Sequence, residues 1–183
     1  GSISDWATSD FTLTEQRCLF DDTYIFNANN IDDQERKSEG QFQQEMGEET
    51  WLEPWQSPNG FEECGAPQAP FDGSTPDMRY DWNALQGTLT VYGYGAHIAK
   101  PRVANNFENS GAIPVDLVTV YTIETASDCF IALNIQSAGP SPWWHFELEK
   151  IGSSDEGDSN DSGGSDQSDR DSESNDNASS GSS

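Results

Sequence analysis

The sequence offers few side chains that could carry out catalysis. Glu147 and Glu149 share one face of a predicted strand, and a retaining glycosidase needs two carboxylates about 5–5.5 Å apart on such a rigid element. They lie in the last predicted strand beside Lys150, where a solvated strand face explains them better. His97, in a glycine-flanked loop, and His145, on an outward strand face, are both expected at the surface. We therefore expect no catalytic residue and no histidine metal site.

Aromatic side chains that the core does not need are the candidate binding residues. Sugars present apolar C–H faces that stack on rings, and their hydroxyls need fixed polar partners. Alternation places Trp143 on the outer face of the last strand and Tyr92 and Tyr94 opposite the core face of another strand. A further tryptophan, Trp55, lies in the long connection, whereas Trp51 belongs to the core. The candidates are Trp55, Tyr92, Tyr94 and Trp143. The alternative is that all four cover hydrophobic core or hold the long connection in place.

Three aspartates are candidate calcium ligands, and calcium is the one cofactor that the sequence suggests. Calcium takes six to eight oxygen ligands, with carboxylates assisted by loop carbonyls. Asp21 and Asp22 directly precede a predicted strand, and Asp72 precedes Gly73 in a turn-rich segment. Turn formation through aspartate side-chain hydrogen bonds explains all three without an ion.

The elements that must position these residues are β-strands. Seven segments alternate apolar and polar residues and are bounded by Gly, Asn, Asp and Pro, which is typical of strands. They cover residues 23–27, 41–46, 77–82, 88–94, 117–124, 129–135 and 143–149. Residues 83–87 and 125–128 read as short turns, residues 27–40 as a longer polar connection, and the proline-rich residues 53–76 as a segment outside the central strands. This pattern predicts an all-β fold, either an antiparallel barrel or a β-sandwich.

The three cysteines differ in their surroundings. Cys18 and Cys64 lie in polar, turn-rich sequence, whereas Cys129 opens an apolar alternation. We predict a Cys18–Cys64 disulfide and a buried, unpaired Cys129. Because the sequence has no CxxC motif, these cysteines do not predict a zinc site.

Charge and composition divide the chain in two. Residues 152–183 consist almost entirely of Ser, Asp, Asn, Gly and Glu, so they cannot bury enough apolar surface to fold, and we predict a disordered acidic tail or linker. Nine acidic residues and one arginine give that tail a net charge of −8, which leaves −17 of the chain's −25 for a folded domain at residues 1–151. A surface so negative repels nucleic acid. No apolar run approaches the ~20 residues of a membrane span.

A series of motifs in the folded part resembles a bacterial secreted lipocalin-like β-domain family, which is associated with PKD-type domains and family 16 glycoside hydrolases. The motifs are RCLFDDTYIFNA at residues 17–28, ETWLEPWQ at 49–56, CGAPQAPFDG at 64–73, GTLTV at 87–91, GAHIAKPR at 95–102 and WWHFEL at 143–148. The resemblance implies an up-and-down, lipocalin-like antiparallel barrel with an accessory role in polysaccharide use. That family carries a further strand before the position of Gly1 and a smaller loop than residues 29–39, so barrel closure and ligand contacts near that loop stay open.

Together these observations predict a secreted, cell-surface or periplasmic bacterial module without catalytic activity of its own. We expect it to bind polysaccharide, with a β-glucan as one candidate, and to be covalently linked through its tail to another module such as a glycoside hydrolase. Two alternatives stay open. The domain could be a structural spacer without a ligand, or it could hold a small apolar ligand inside the barrel, which requires an internal cavity.

Overall fold

Antiparallel β-strands form most of the regular structure in the computed structural model, which describes residues 14–104, 113–115, 117–136 and 143–151. The strands are β1 (Thr23–Asp32), β2 (Lys37–Glu45), β3 (Thr50–Leu52), β4 (Glu63–Gly65), β5 (Arg79–Asn83), β6 (Thr88–Tyr92), β7 (Val118–Ala126), β8 (Phe130–Gln136) and β9 (Trp143–Glu149). Two short 3-10 helices, Arg17–Leu19 and Pro101–Val103, lie among them. The predicted tail at residues 152–183 lies outside the described residues.

Seven strands form one sheet in the order β1-β2-β5-β6-β7-β8-β9, with every neighbouring pair antiparallel. The sheet is strongly curled into a half-barrel, and β1 and β9 are its two edges within the described residues. β3 and β4 pair separately as a two-stranded sheet. The predicted all-β, antiparallel, barrel-type fold is therefore confirmed, and the proline-rich residues 53–76 contribute no strand to the main sheet.

All seven predicted strands are present, because alternation marks the buried face of each one. On β6, Leu89 and Val91 are 1% and 0% exposed, whereas the alternate residues Thr88, Thr90 and Tyr92 are half-buried. On β9, the inward side chains predicted at positions 144, 146 and 148 pack against the core. The short turns predicted at residues 83–87 and 125–128 are present at residues 84–87 and 127–129, where they connect β5 to β6 and β7 to β8.

The prediction of a long connection at residues 27–40 was wrong. β1 and β2 continue as a hairpin to the pair Asp32–Lys37, leaving a four-residue turn at residues 33–36. The outer part of this hairpin is exposed, so it carries no apolar alternation from which the strands could be predicted. Within it, Gly40 is opposite Ala28, and a Cβ at Gly40 would lie 1.9 Å from the Asn27 carbonyl oxygen. The two strands can approach this closely only because residue 40 has no side chain.

The predicted burial of Cys129 was wrong, and the predicted start of the strand at residues 117–124 was one residue too early. Cys129 is exposed because β8 begins only at Phe130, which leaves the cysteine in the β7–β8 turn. Leu117 is 59% exposed because β7 begins one residue later, at Val118. Alternation within a segment therefore located the buried face correctly but extended it by one position at each of these ends.

The predicted disulfide between Cys18 and Cys64 is confirmed, with a Cα–Cα distance of 5.9 Å. Cys18 lies in the first 3-10 helix and Cys64 lies in β4, opposite Trp51 of β3. The disulfide closes a loop of 46 residues that includes β1 and β2. It therefore links the two-stranded sheet covalently to the chain that precedes the main sheet.

The core lies against the inner face of the main sheet, and it includes a segment without strand structure. This inner segment, residues 96–104, is buried throughout. Tyr121 of β7, itself fully buried, accepts a hydrogen bond from the Ile98 amide at 2.7 Å and donates to the Ile98 carbonyl at 3.2 Å. The Tyr24 hydroxyl of β1 accepts from the Ala99 amide at 2.8 Å. Side-chain hydroxyls of the sheet thus satisfy backbone groups that have no strand partner.

Candidate functional site

One row of side chains crosses the outer face of the sheet from β1 to β7. Strand pairing sets these residues directly opposite one another. The outer row consists of Asn27, Gln41, Arg79, Tyr92 and Val118. Their neighbours along β5, β6 and β7, such as Tyr80 and Val91, face the core, so the row faces away from it. At about 4.8 Å per strand spacing, the row spans roughly 19 Å.

Tyr92 supplies the aromatic ring of this row. Its ring is half-buried, and the Arg79 guanidinium lies over it at 5.5 Å from the ring centroid. Arg79 itself is exposed. An exposed cation–π contact contributes only ~0.5–1 kcal/mol, so a ligand that stacks well on the ring can displace the guanidinium.

The ring of Tyr92 continues into exposed aliphatic side chains. Val118, directly opposite it, is 41% exposed, and Val120, two residues further along the same face of β7, is 40% exposed. Leu117, at 59% exposed, precedes them. Val118 and Val120 thus give the outer face exposed apolar surface beside Tyr92.

A polar groove of about 390 Å³ lies at the other end of the row. It is formed where residues 41–45 of β2 run beside residues 73–78, which directly precede β5. The Phe42 amide donates to the Met78 carbonyl at 3.0 Å, which holds the two walls together. The exposed or half-buried hydrogen-bonding residues that line the groove are Gln41, Gln43, Glu45, Ser74, Thr75 and Asp77. Gln41 belongs both to the groove and to the outer row, so the two are continuous.

The four aromatic candidates do not form one cluster. Trp55 is half-buried and packs on the buried ring of Phe71 at a centroid distance of 5.0 Å. Tyr94 is 40% exposed and follows Gly93, whose Cβ position would be 2.8 Å from Cγ of Met78 in the groove. Tyr92 belongs to the outer row and Tyr94 follows it by two residues, whereas Trp55 belongs to a separate aromatic pair. The backbone of Trp143 begins β9, but its side chain lies outside the described part of the chain.

Two of the three calcium candidates, Asp22 and Asp72, accept hydrogen bonds within the domain, and Asp21 is exposed. Asp72 accepts hydrogen bonds from the Ser74 amide at 3.0 Å and from the Ser74 hydroxyl at 2.6 Å, which is a turn of the predicted kind. The Thr50 hydroxyl donates to Oδ2 of Asp22 at 2.7 Å. Burial raises the pKa of Asp22 from its ordinary value of 3.8 to about 7, with the charge of Asp21 adding to the shift against the Thr50 hydrogen bond. Within the described ranges, no three His, Cys, Asp or Glu side chains form a metal site.

His97 is buried, at 1% exposed, so the prediction that it lies at the surface was wrong. Its Nδ1 is 2.8 Å from the Gly95 carbonyl oxygen and 3.0 Å from Nε2 of Gln44, and its ring packs against Phe71. Burial lowers the pKa of His97 to about 4, against the hydrogen bond to Gly95. A histidine that is neutral and enclosed in this way acts as a packing residue of the core.

His145 is exposed, as predicted, and lies on the outer face of β9. Its Nδ1 is 2.9 Å from Oδ1 of Asn134 and 3.2 Å from Oε2 of Glu124, and its Nε2 is 3.2 Å from Oε1 of Glu147. Glu147 is thus a partner of His145, and Glu149 is exposed at the end of the same strand. The arrangement is a polar surface cluster on three neighbouring strands.

Sequence reasoning did not single out the non-aromatic members of the surface. Gln41, Arg79 and Val118 occupy outward positions of predicted strands, but the alternation assigns no partner across the sheet. The groove itself depends on residues 73–78 lying beside β2, which no local pattern reports. Only the strand order and register bring Gln41, Arg79 and Tyr92 into one line.

Comparison of this chain with known protein families, with curated proteins and with solved structures finds no match. Among the described residues, no helix is long and apolar enough to cross a membrane. Any functional proposal therefore depends on the geometry of the outer row and groove and on the resemblance stated above.

Proposed function

We propose that this domain is a non-catalytic module that binds a polysaccharide chain along the outer row and its adjoining groove. The observation that supports this most directly is the line Gln41–Arg79–Tyr92–Val118, in which an amide, a displaceable guanidinium, an aromatic ring and an exposed valine follow one another. Rings and apolar side chains suit the C–H faces of sugars, and the polar groove suits their hydroxyls.

The proposed setting is a secreted bacterial system that degrades polysaccharide, in which this domain is covalently linked to a catalytic module. The resemblance over residues 1–151 supports this setting, and the Cys18–Cys64 disulfide supports an oxidising compartment. The net charge of −25 opposes nucleic acid as a partner. A β-glucan is the first ligand to test.

The inner face of the sheet gives less support to the alternative of an apolar ligand inside the barrel. Large side chains such as Tyr121, Leu89 and Leu133 fill that face, and the inner segment lies against it. The outer face, by contrast, exposes the ring and valines described above. We therefore place the ligand on the outside of the sheet.

Affinity electrophoresis in gels containing laminarin, mixed-linkage glucan, agar or alginate tests the proposal. We expect at least one neutral glucan to retard the protein. Tyr92→Ala should weaken that retardation about tenfold or more, since a stacking contact is lost, whereas Tyr92→Phe should retain most of it. Phe61→Ala serves as the matched control, because Phe61 is 72% exposed and lies outside the row and the groove.

Circular dichroism of each variant confirms that the fold is kept. Retardation that survives Tyr92→Ala, or that Phe61→Ala abolishes equally, would contradict the proposed surface. If no polymer retards the wild-type protein, binding is disproved and a structural spacer is the better description.

A further inference from the structure

The charges around the proposed surface are predominantly negative. Glu45 and Asp77 line the groove, and both are exposed. Glu39 of β2 and Asp81 of β5 lie directly opposite each other. They are two residues from the Gln41–Arg79 pair along each strand and therefore on the same face. Like charges at opposite positions of a sheet repel each other, and the attraction of Lys37 to Asp81 offsets part of that repulsion.

Two basic residues lie on the same face, and each already has a partner. The guanidinium of Arg79 lies over the Tyr92 ring. Lys37 is paired with Glu35, with 2.5 Å between Nζ and Oε2. Four carboxylates therefore surround the groove and the row, and the two cations present do not form a cluster that could hold an acidic group.

Carboxylate side chains interact favourably with neutral sugars and unfavourably with acidic ones. They accept hydrogen bonds from sugar hydroxyls, and such charge-assisted bonds are among the stronger ones. A uronate or sulfate group brought to the same place adds a like charge, and the repulsion acts over about 10 Å at 0.1 M salt. The surface thus attracts hydroxyls and repels anions.

We infer that the polysaccharide bound at the groove and outer row is an uncharged chain and that uronate or sulfate groups prevent binding. The placement of Glu39, Glu45, Asp77 and Asp81 around the Gln41–Arg79–Tyr92 line supports this inference. It rests on the proposed function, because it names the class of polysaccharide that this same surface recognises.

Isothermal titration calorimetry with laminarin, mixed-linkage glucan and the sulfated derivative of each provides the test, since each pair shares one backbone. At low salt we expect the sulfated polymer to bind at least tenfold more weakly than its neutral parent. The ratio of the two affinities should fall as salt is raised above about 0.15 M, where screening shortens the range of the repulsion.

The double variant Glu45→Gln/Asp77→Asn should reduce the neutral-to-sulfated affinity ratio at least threefold. Asp128→Asn/Glu149→Gln changes the net charge equally but lies in the β7–β8 turn and at the end of β9, so it should leave the ratio unchanged. Equal or tighter binding of the sulfated polymer at low salt would overturn this inference and leave the proposed function intact. Binding of neither polymer of either pair would overturn the proposed function, and this inference with it.

Discussion

Asp22 is a carboxyl group whose surroundings favour its protonated form. Its Oδ2 accepts the Thr50 hydroxyl, and its Oδ1 is buried without a hydrogen-bond partner among the described residues. Burial raises its pKa to about 7, whereas an unfolded aspartate ionises near 3.8. Because the folded state binds the proton more tightly, this group stabilises the fold most below pH 4. That contribution is lost as the pH rises from about 4 to 7.

Asp22→Asn should remove this pH dependence, because the amide keeps an acceptor for Thr50 and cannot ionise. We expect the variant to be more stable than the wild type at pH 8 by about 2 kcal/mol, allowing for the partial exposure of the side chain, and to differ little from it at pH 4. Urea unfolding at both pH values measures the difference.

Asp21→Asn is the matched control, since Asp21 is an exposed neighbour, and it should show a much smaller effect. Equal destabilisation by Asp22→Asn at both pH values would contradict the raised pKa of Asp22, because the effect would then not follow ionisation of the carboxyl group. His97 also makes the stability of the fold depend on pH: stability falls as the pH drops from about 6.5 to 4, because the unfolded state takes up a proton there. Comparing the variant with the wild type at the same pH cancels this contribution.

At the level of single residues, the sequence predicted local bonding better than burial. The Cys18–Cys64 pair and the Asp72 turn follow from local composition, and both are confirmed. The burial of His97 does not follow, because it depends on Gln44 and Phe71, which are distant in sequence. Glycine neighbours made the segment look like a surface loop, although here they allow the backbone to approach other chain segments closely.

At the level of elements, alternation predicted every strand of the main sheet but only where one face is buried. The exposed part of the β1–β2 hairpin and the three-residue strands β3 and β4 were missed because they carry no such alternation. The inner segment was missed for a related reason. Residues 96–104 are buried on all sides, so nothing in their sequence alternates.

The Cys18–Cys64 disulfide joins two elements that are otherwise short. Replacing both residues by serine should lower the free energy of unfolding by about 3 kcal/mol, because the unfolded chain is freed from a closed loop of 46 residues. Thermal and urea unfolding of the non-reduced proteins measure this loss.

Cys129→Ser provides the control, since that thiol is exposed, and its effect should stay within about 0.5 kcal/mol. A double variant as stable as the wild type would show that packing of β3, β4 and the first 3-10 helix holds these elements without the covalent link.

At the level of the whole domain, a buried ion pair connects the inner segment to the chain around the two-stranded sheet. Nε of Arg102 donates to Oε2 of Glu53 at 2.6 Å, and the guanidinium also contacts Glu62. Glu53 is fully buried and directly follows β3. Burial alone would lower the pKa of Arg102, but the hydrogen bonds and charges of Glu53 and Glu62 raise it, so this arginine stays charged.

Arg102→Leu should destabilise the domain by about 3–5 kcal/mol, because it leaves the Glu53 carboxylate buried without its partner. Adding Glu53→Gln to that variant should recover part of the loss, since the uncompensated charge is then removed. Urea unfolding of the two single variants and the double variant gives the coupling energy. Strictly additive losses would contradict a direct pairing of the two side chains inside the domain.

The inner segment also determines the order in which this domain can assemble. Its contacts join residues far apart along the chain: Ala99 bonds to Tyr24 across 75 positions, and Ile98 bonds to Tyr121 across 23. The apolar face of the sheet stays exposed to water until the inner segment packs against it, and the inner segment has no strand hydrogen bonds that could fix its position. Distant contacts of this kind are slow to form. Local hairpins can therefore form early in folding, whereas exclusion of water from the core comes late, because it needs nearly all of the folded region.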